Sequence, residues 1–296
     1  MYDIVIIGSG PAGLSSAIYA QRAGLKAVVV EKNYLGTGQI AESERVDNYP
    51  GLYGENGFDL GEKFRSHAES LGTEFIEGEA VKISKNTTDY SIELDNGNSL
   101  ETHTVIYAVG TERRKLQVEG EKEFSGRGVS YCAVCDAAFY KDKITAVAGG
   151  GDTALGDAAL LSKFAKKVYL IHRRDKFRAN KTLQQKVENI SNVEILLNSQ
   201  IKKINGSNKV ESITVDKNGA ETEIKVDGVF VAVGSVPNSA VLKDLVEVDN
   251  NGYIVANEDG VTSANGIFVA GDVRTKKLRQ VVTAVSDGAN CVLSAE

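Results

Sequence analysis

Two stretches of this sequence repeat one pattern: a β-branched apolar run, a glycine-rich turn, a helical stretch and a second β-branched run. In the first, DIVII (3–7) leads into GSGPAG (8–13), a helix is predicted through about Arg22, and AVVV (27–30) ends at Glu31. In the second, ITAVA (144–148) leads into GGGDTA (149–154), a helix follows, and KVYLI (167–171) ends at His172. The separation of Gly13 from Glu31 equals that of Ala154 from His172. Strands that turn sharply into helices and return as further strands are βαβ units of a parallel sheet, so the expected class is α/β.

The two halves match beyond these units. Tyr90–Leu94 and residues 100–107 flank the turn Asn96-Gly97, which predicts a hairpin feeding a buried strand, and residues 210–216, the turn Asn218-Gly219 and VFVAV (229–233) follow the second unit. The strands then end in similar tripeptides, VGT (109–111) and VGS (233–235). GIFVAGD (266–272) reads as one more buried strand, belonging to the first half. The expected architecture is two Rossmann-like dinucleotide-binding domains with the second inserted into the first, bounded at 1–113, 114–242 and 243–296.

With 296 residues, 42% of them hydrophobic and 25% charged, the chain is long enough for two cores. Its net charge of −6 and the absence of a basic run give no case for nucleic acid or anionic lipid. The apolar run at residues 4–7 is far too short for a secretory core or a membrane span. Three cysteines, two of them close together, point to a redox or metal pair in a reducing cytoplasm rather than to a disulfide scaffold.

At the first turn, Gly8 permits the reversal, Gly10 lets backbone approach a pyrophosphate, and Gly13 lets helix and strand pack. The helix N-terminus favours phosphate charge, and Glu31 can accept hydrogen bonds from ribose hydroxyls. Gly149, Gly151, Asp152, Thr153 and Ala154 form the second turn. There the next strand ends in His172, Arg173 and Arg174, with Arg178 one turn on, where guanidinium groups suit a 2′-phosphate that a carboxylate would repel. That choice favours NADPH over NADH. The competing reading is a solvated basic turn whose arginines make surface ion pairs, and His172 is ambiguous.

Cys132 and Cys135 stand one helical turn apart, followed by Asp136. A structural zinc site needs about four Cys or His ligands, but Cys291, His67, His103 and His172 supply no second pair, so redox use is favoured and no metal is expected. Asp136 reads either as a proton carrier or as a helix cap. Cys291 reads as a small buried apolar residue.

The sequence closely resembles the low-molecular-weight thioredoxin reductases along nearly its full length. The resemblance rests on GSGPAG (8–13), TGQI (37–40), VDNYPG (46–51), CAVCD (132–136), GGGDTA (149–154), HRRDKFR (172–178), GDVRTKKLRQ (271–280) and TAVSDGA (283–289). It implies FAD in the first domain, lined by Gly10, Ala12, Glu31, Gln39, Asn48, Gly110, Asp272, Arg279, Gln280 and Val281. It places NADPH and the redox disulfide in the second. Cys135 would face the flavin, Cys132 would attack the thioredoxin disulfide, and Asp136 would give and take the proton. The role of Gln280 rests on the resemblance alone; it could equally be a polar core residue. No histidine follows residue 172 and no cysteine precedes Cys132, which separates the chain from the glutathione-reductase-like branch. The resemblance further implies a homodimer and a rotation of the inserted domain about connections near 112–115 and 237–243.

One position departs from the pattern: where the family has two acids after GGGDTA, this chain has Leu155, Gly156 and Asp157. A rival reading keeps the disulfide chemistry but takes electrons from ferredoxin. A ferredoxin–NADP reductase would lack the cysteine pair, and a non-catalytic flavin-binding redox sensor would bind FAD without turnover.

Overall fold

The apolar runs become strands buried on both faces, as parallel sheets covered by helices require. In the computed structural model, which describes residues 1–33, 36–43 and 45–296, they are shared between two units: Met1–Glu112 with Val236–Glu296, and Arg113–Ser235. The first segment carries β1 (Tyr2–Ile7), α1 (Pro11–Arg22), β2 (Ala27–Glu31), α2 (Gly57–Ser70), β3 (Glu74–Glu77), β4 (Ala80–Lys85), β5 (Tyr90–Leu94), β6 (Ser99–Tyr107) and β7 (Thr111–Arg113). The insert carries β8 (Val129–Ser130), α3 (Ala133–Asp136), β9 (Ile144–Gly149), α4 (Asp152–Leu161), β10 (Lys167–Ile171) and α5 (Lys181–Glu188). It continues with β11 (Val193–Leu196), β12 (Ser199–Gly206), β13 (Val210–Lys217), β14 (Ala220–Lys225) and β15 (Gly228–Ala232), and β16 (Ser235–Pro237) leads out of it. The returning segment supplies β17 (Ile267–Val269) and α6 (Val281–Ala295).

In the first unit β3, β2, β1 and β6 run parallel side by side. One edge of β6 takes two partners in turn: antiparallel β5 along its first half, then parallel β17 from Val105 to Tyr107. Period-two alternation sends Val5, Ile7, Val28 and Val30 to one face, where they meet Leu242, Val246 and Ile254. Ile4, Ile6 and Val29 go to the other, in one core with Leu14, Ala17 and Ala20 of α1 and Cys291 and Val292 of α6. Small residues bring α1 and α6 together: a Cβ on Gly288 would stand 2.1 Å from the Ala12 carbonyl oxygen, and Ser15 Oγ donates to the Val285 carbonyl at 2.7 Å.

Residues 236–242, expected with the insert, pack in the first unit instead. Tyr107 Oη donates to the Asn238 carbonyl at 2.8 Å, and Leu242 is buried against the Val5 face. The chain therefore crosses back at Ser235–Val236, directly after the VGS tripeptide, because apolar residues beyond it are needed to cover that face. β7 and β16, the two crossings, pair as a two-stranded ribbon.

The insert has its own two-sided core. Its sheet, β11-β10-β9-β15-β8, is wholly parallel. Val147, Leu170 and Phe230 share one core with residues of α4 and α5, while Ala146, Val229 and Val231 share another with Ile201, Ile213 and Val215 of the antiparallel β12-β13-β14 layer. Among the described residues no helix is long and apolar enough to cross a membrane.

A buried ionic cluster anchors the returning segment. The Asp287 carboxylate, on α6 and 3% exposed, accepts from the Gly271 amide at 2.9 Å, from Arg274 Nε and Nη2 at 2.9 and 2.8 Å, and from Lys276 Nζ at 2.7 Å. Removing the carboxylate would leave the buried Lys276 ammonium without its partner and Arg274 with only the exposed Glu258, at 3.1 Å. Asp287→Ala is therefore expected to lower stability by about 3–5 kcal/mol, read from denaturant unfolding. A loss below about 1 kcal/mol would mean that the cluster behaves like an exposed ion pair.

Candidate active site

β1 must reverse within a few residues to start α1. Gly8 takes φ +100°, and a Cβ there would lie 2.7 Å from the Ala108 carbonyl oxygen; on Gly13 it would lie 1.8 Å from the Gly8 carbonyl oxygen. Gly10 differs, since its φ of −68° suits any residue and an added Cβ would meet nothing nearer than 3.9 Å. Packing thus demands glycine at 8 and 13, while at 10 the missing side chain leaves room for a ligand. α1 starts with no side-chain cap, and so does α4, whereas Asn56 caps α2, Asn180 caps α5 and a Gln280–Thr283 capping box closes α6. The uncapped amides are donors suited to phosphate oxygens. At the end of β2, Glu31 Oε2 accepts from the amide and the hydroxyl of Ser9, each at 2.9 Å, and Oε1 accepts from the Asn33 amide at 3.0 Å. Those bonds fix the carboxylate beside the turn. Ser9 escaped the sequence reasoning; a small hydroxyl between two fingerprint glycines was its only signal.

The other first-unit candidates arrive from distant segments. A Cβ on Gly271 would stand 3.1 Å from that of Ala12, which sets Asp272 next to the first turn of α1. Arg279 Nε donates to the Asp272 carbonyl at 3.2 Å, and its guanidinium lies 4.1 Å over the Tyr253 ring. Gln39 Nε2 donates to the Thr111 carbonyl beside Gly110, whose φ is +66°. Asn48 Nδ2 donates to Gln280 Oε1 at 2.8 Å. Gln280 is the half-buried N-cap of α6, directly before Val281, and not a core residue.

The second turn repeats the division of the first. A Cβ on Gly149 would lie 2.3 Å from the Ala232 carbonyl oxygen and 2.7 Å from Ala154 Cβ, whereas Gly151 faces open space. Asp152, at the start of α4, accepts from the Asn180 amide and side chain at 2.8 and 2.9 Å, and Thr153 is exposed. His172 is buried, stacked on Phe177 with ring centroids 5.5 Å apart, and its Nε2 donates to the Lys176 carbonyl at 3.1 Å. Burial pushes its pKa down, aided by the charges of Arg174, Arg173 and Arg178 and opposed by the Lys176 hydrogen bond. The neutral ring packs against Gly150, where a Cβ would come within 2.2 Å of it, so His172 shapes the turn rather than charging it. Arg173, Arg174 and Arg178 are exposed, and among the described residues none pairs with a carboxylate. The surface ion-pair reading therefore lacks its partners. The Arg178 amide donates to the Gly150 carbonyl at 2.8 Å, tying the arginine loop to the turn. Gly156 faces open space, so packing does not require glycine there. Burial raises the pKa of the neighbouring Asp157 to about 7.

Beyond β8, Cys132 is the N-cap of α3 and is joined to Cys135 in a disulfide with Cα atoms 5.3 Å apart. Cys132 Sγ accepts the Cys135 amide at 3.2 Å, a donor that stabilises a thiolate once the disulfide opens. Val134, between them, is 55% exposed. Asp136 makes no side-chain cap to the turn that follows, Ala137–Tyr140; its Oδ2 accepts from Ser130 Oγ at 2.6 Å. The capping reading of Asp136 is thereby set aside. Glu121, also missed from sequence, is buried and accepts from the Leu116 and Gln117 amides and from Tyr131 Oη. Cys291 is fully buried, its thiol pushed up to about 12 by burial, which makes it inert.

The contrast between Gly10 and Gly13 gives a test. Gly10→Ala should leave the unfolding temperature of FAD-stripped protein within about 2 °C while weakening FAD retention in ultrafiltration. Gly13→Ala should cost about 1–3 kcal/mol of stability by overpacking. Equal destabilisation by both would refute the division of roles.

Residues 2–288 match the pyridine nucleotide-disulphide oxidoreductase family. Among curated relatives, the thioredoxin reductases of Mycoplasma genitalium and Bacillus subtilis are each 42% identical to this chain, over 99% and 100% of its length and 94% of theirs. Among solved structures, the thioredoxin reductase from Streptococcus pyogenes is 40% identical with a TM-score of 0.94, covering 100% of this chain and 97% of that one. The thioredoxin reductase from Giardia duodenalis is 36% identical with the same TM-score, covering 99% and 97%. The chain belongs to the pyridine nucleotide-disulphide oxidoreductases, in their low-molecular-weight thioredoxin reductase branch.

Proposed function

We propose that this chain is a thioredoxin-disulfide reductase, passing electrons from NADPH through FAD and the Cys132–Cys135 disulfide to a thioredoxin. The observation that carries the reading is the closed cysteine pair with an amide donor on Cys132 Sγ, held in the same unit as the second glycine turn. FAD would lie over Gly8, Gly10 and Gly13 with its ribose toward Glu31. Asp272, Arg279 and the Asn48–Gln280 pair would meet its other parts. NADPH would lie over Gly149 and Gly151, its 2′-phosphate toward Arg173, Arg174 and Arg178. FAD, when bound, supplies the two-electron relay between nicotinamide and disulfide.

The chain's own groups do the rest. Two electrons and two protons open Cys132–Cys135 to a dithiol. The Cys132 thiolate attacks one sulfur of the partner disulfide, forming a mixed disulfide and releasing the partner's other sulfur as a thiolate, which takes up a proton. Cys135 then attacks Cys132 Sγ, restoring the internal disulfide and releasing the reduced partner. Asp136, next in the chain, gives and takes the proton at the cysteine sulfurs.

The intact second turn and the unpaired arginines favour NADPH over ferredoxin as donor. Anaerobic titration with NADPH should bleach the flavin, and replacing Arg173, Arg174 and Arg178 with alanine should raise the NADPH KM by roughly 100-fold, as loss of about two charge-assisted contacts implies, with little change for NADH. A flavin that NADPH leaves oxidised would overturn the donor assignment. Cys132→Ser should abolish thioredoxin reduction, measured by insulin precipitation, while flavin reduction by NADPH persists; loss of both would sink the role given to Cys132.

A further inference from the structure

We propose that Ser130 is a positioning residue of the redox site, whose hydroxyl holds the Asp136 carboxylate where it exchanges protons with the cysteine sulfurs. This rests on the proton role proposed for Asp136. Ser130 is the last residue of β8 and is paired in register with Phe230 of β15, so its backbone belongs to the sheet and not to the redox loop. The residue is buried. Its Oγ accepts the Cys132 amide at 3.1 Å and lies 2.6 Å from Asp136 Oδ2. A hydroxyl has one proton to give. The Cys132 carbonyl stands at 3.5 Å, the limit of hydrogen-bonding distance, so the carboxylate is the acceptor. A separation of 2.6 Å is that of a charge-assisted O–H···O⁻ bond.

One oxygen therefore ties together the strand end, the amide of Cys132 and the proton carrier. When the Asp136 carboxyl passes its proton to a cysteine thiolate, a thiol and a carboxylate result and no electron moves. The Ser130 hydroxyl stabilises that carboxylate, and the strand end limits where it can swing. The titratable groups on elements packed against α3 are Asp152 and Asp157 of α4 and Tyr140 of the turn after α3, and all remain in the variants below.

The test is the pH dependence of kcat for thioredoxin reduction by the FAD-loaded enzyme. Donation to a carboxylate favours its ionised form, so Ser130→Ala should move the limb of the profile that reports the Asp136 carboxyl toward higher pH by roughly one unit. Ser130→Thr and Ser130→Val share one shape, so the threonine variant should keep the native profile and the valine variant should show the alanine shift, whatever the packing cost. In an Asp136→Asn background Ser130→Ala should add less than about 2-fold, because the two act through one contact. A uniform loss of kcat with the profile unmoved, identical behaviour of the threonine and valine variants, or a full additive effect in the Asp136→Asn background would overturn the inference. An Asp136→Asn profile identical to the native one would instead overturn the reading of Asp136, and the inference with it.

Discussion

Backbone amides at the heads of α1 and α4 are the groups around which both units are organised. A helix starts with N–H groups that it cannot satisfy itself, and α2, α5 and α6 meet that need with asparagine caps or a capping box. At α1 and α4 the chain spends glycines instead, so that strand and helix close on each other with no side chain between the amides and a ligand. The rest of each unit follows from that closure. Gly13 and Ala154 are small because the helix rests on the turn, and the next strand must end beside it. What stands at that strand end then sets the electrostatics: a carboxylate fixed by Ser9 and Asn33 in one unit, free guanidinium groups around a neutral histidine in the other. One backbone design thereby carries two opposite charge preferences.

The redox pair sits on a different kind of support. Cys132 and Cys135 belong to a single helical turn, too short to hold a geometry of its own, and their surroundings are fixed from the sheet. Ser130 reaches back from β8, and Glu121 with Tyr131 ties the residue before Cys132 to the chain that enters the insert. The exposed Val134 therefore stands between sulfurs whose surroundings are fixed from the sheet.

Features that depend on neighbours in sequence were legible from the start. The glycine turns, the β-branched runs and the asparagine–glycine hairpins at Gly97 and Gly219 are local, and α1 ends at Arg22 where its pattern does. Contacts between distant residues left no such trace. The Asp287 cluster joins α6 to a loop through charges that are distant in sequence, and Ser9 and Ser130 look like ordinary small polar positions until their carboxylate partners are brought beside them. His172 was ambiguous in the sequence, and only its packing against Gly150, with burial pushing its pKa down, shows what surrounds it. The return crossing was placed a few residues late because Leu242 gives no composition signal; only the face that it covers shows where it belongs.

Insertion of one unit into another also orders events during synthesis. The insert is contiguous, with both of its core layers encoded between Arg113 and Ser235, so it can complete its fold as soon as it leaves the ribosome. The first unit cannot, since β17 and α6 are the last elements made, and the core that joins Leu14, Ala17 and Ala20 of α1 to Ile4, Ile6 and Val29 lacks its α6 side until they emerge. The many small residues at the α1–α6 contact, Ser15, Ser16 and Gly288 among them, keep the waiting surface less sticky than a leucine-rich one would be, while still permitting close docking once the chain is complete.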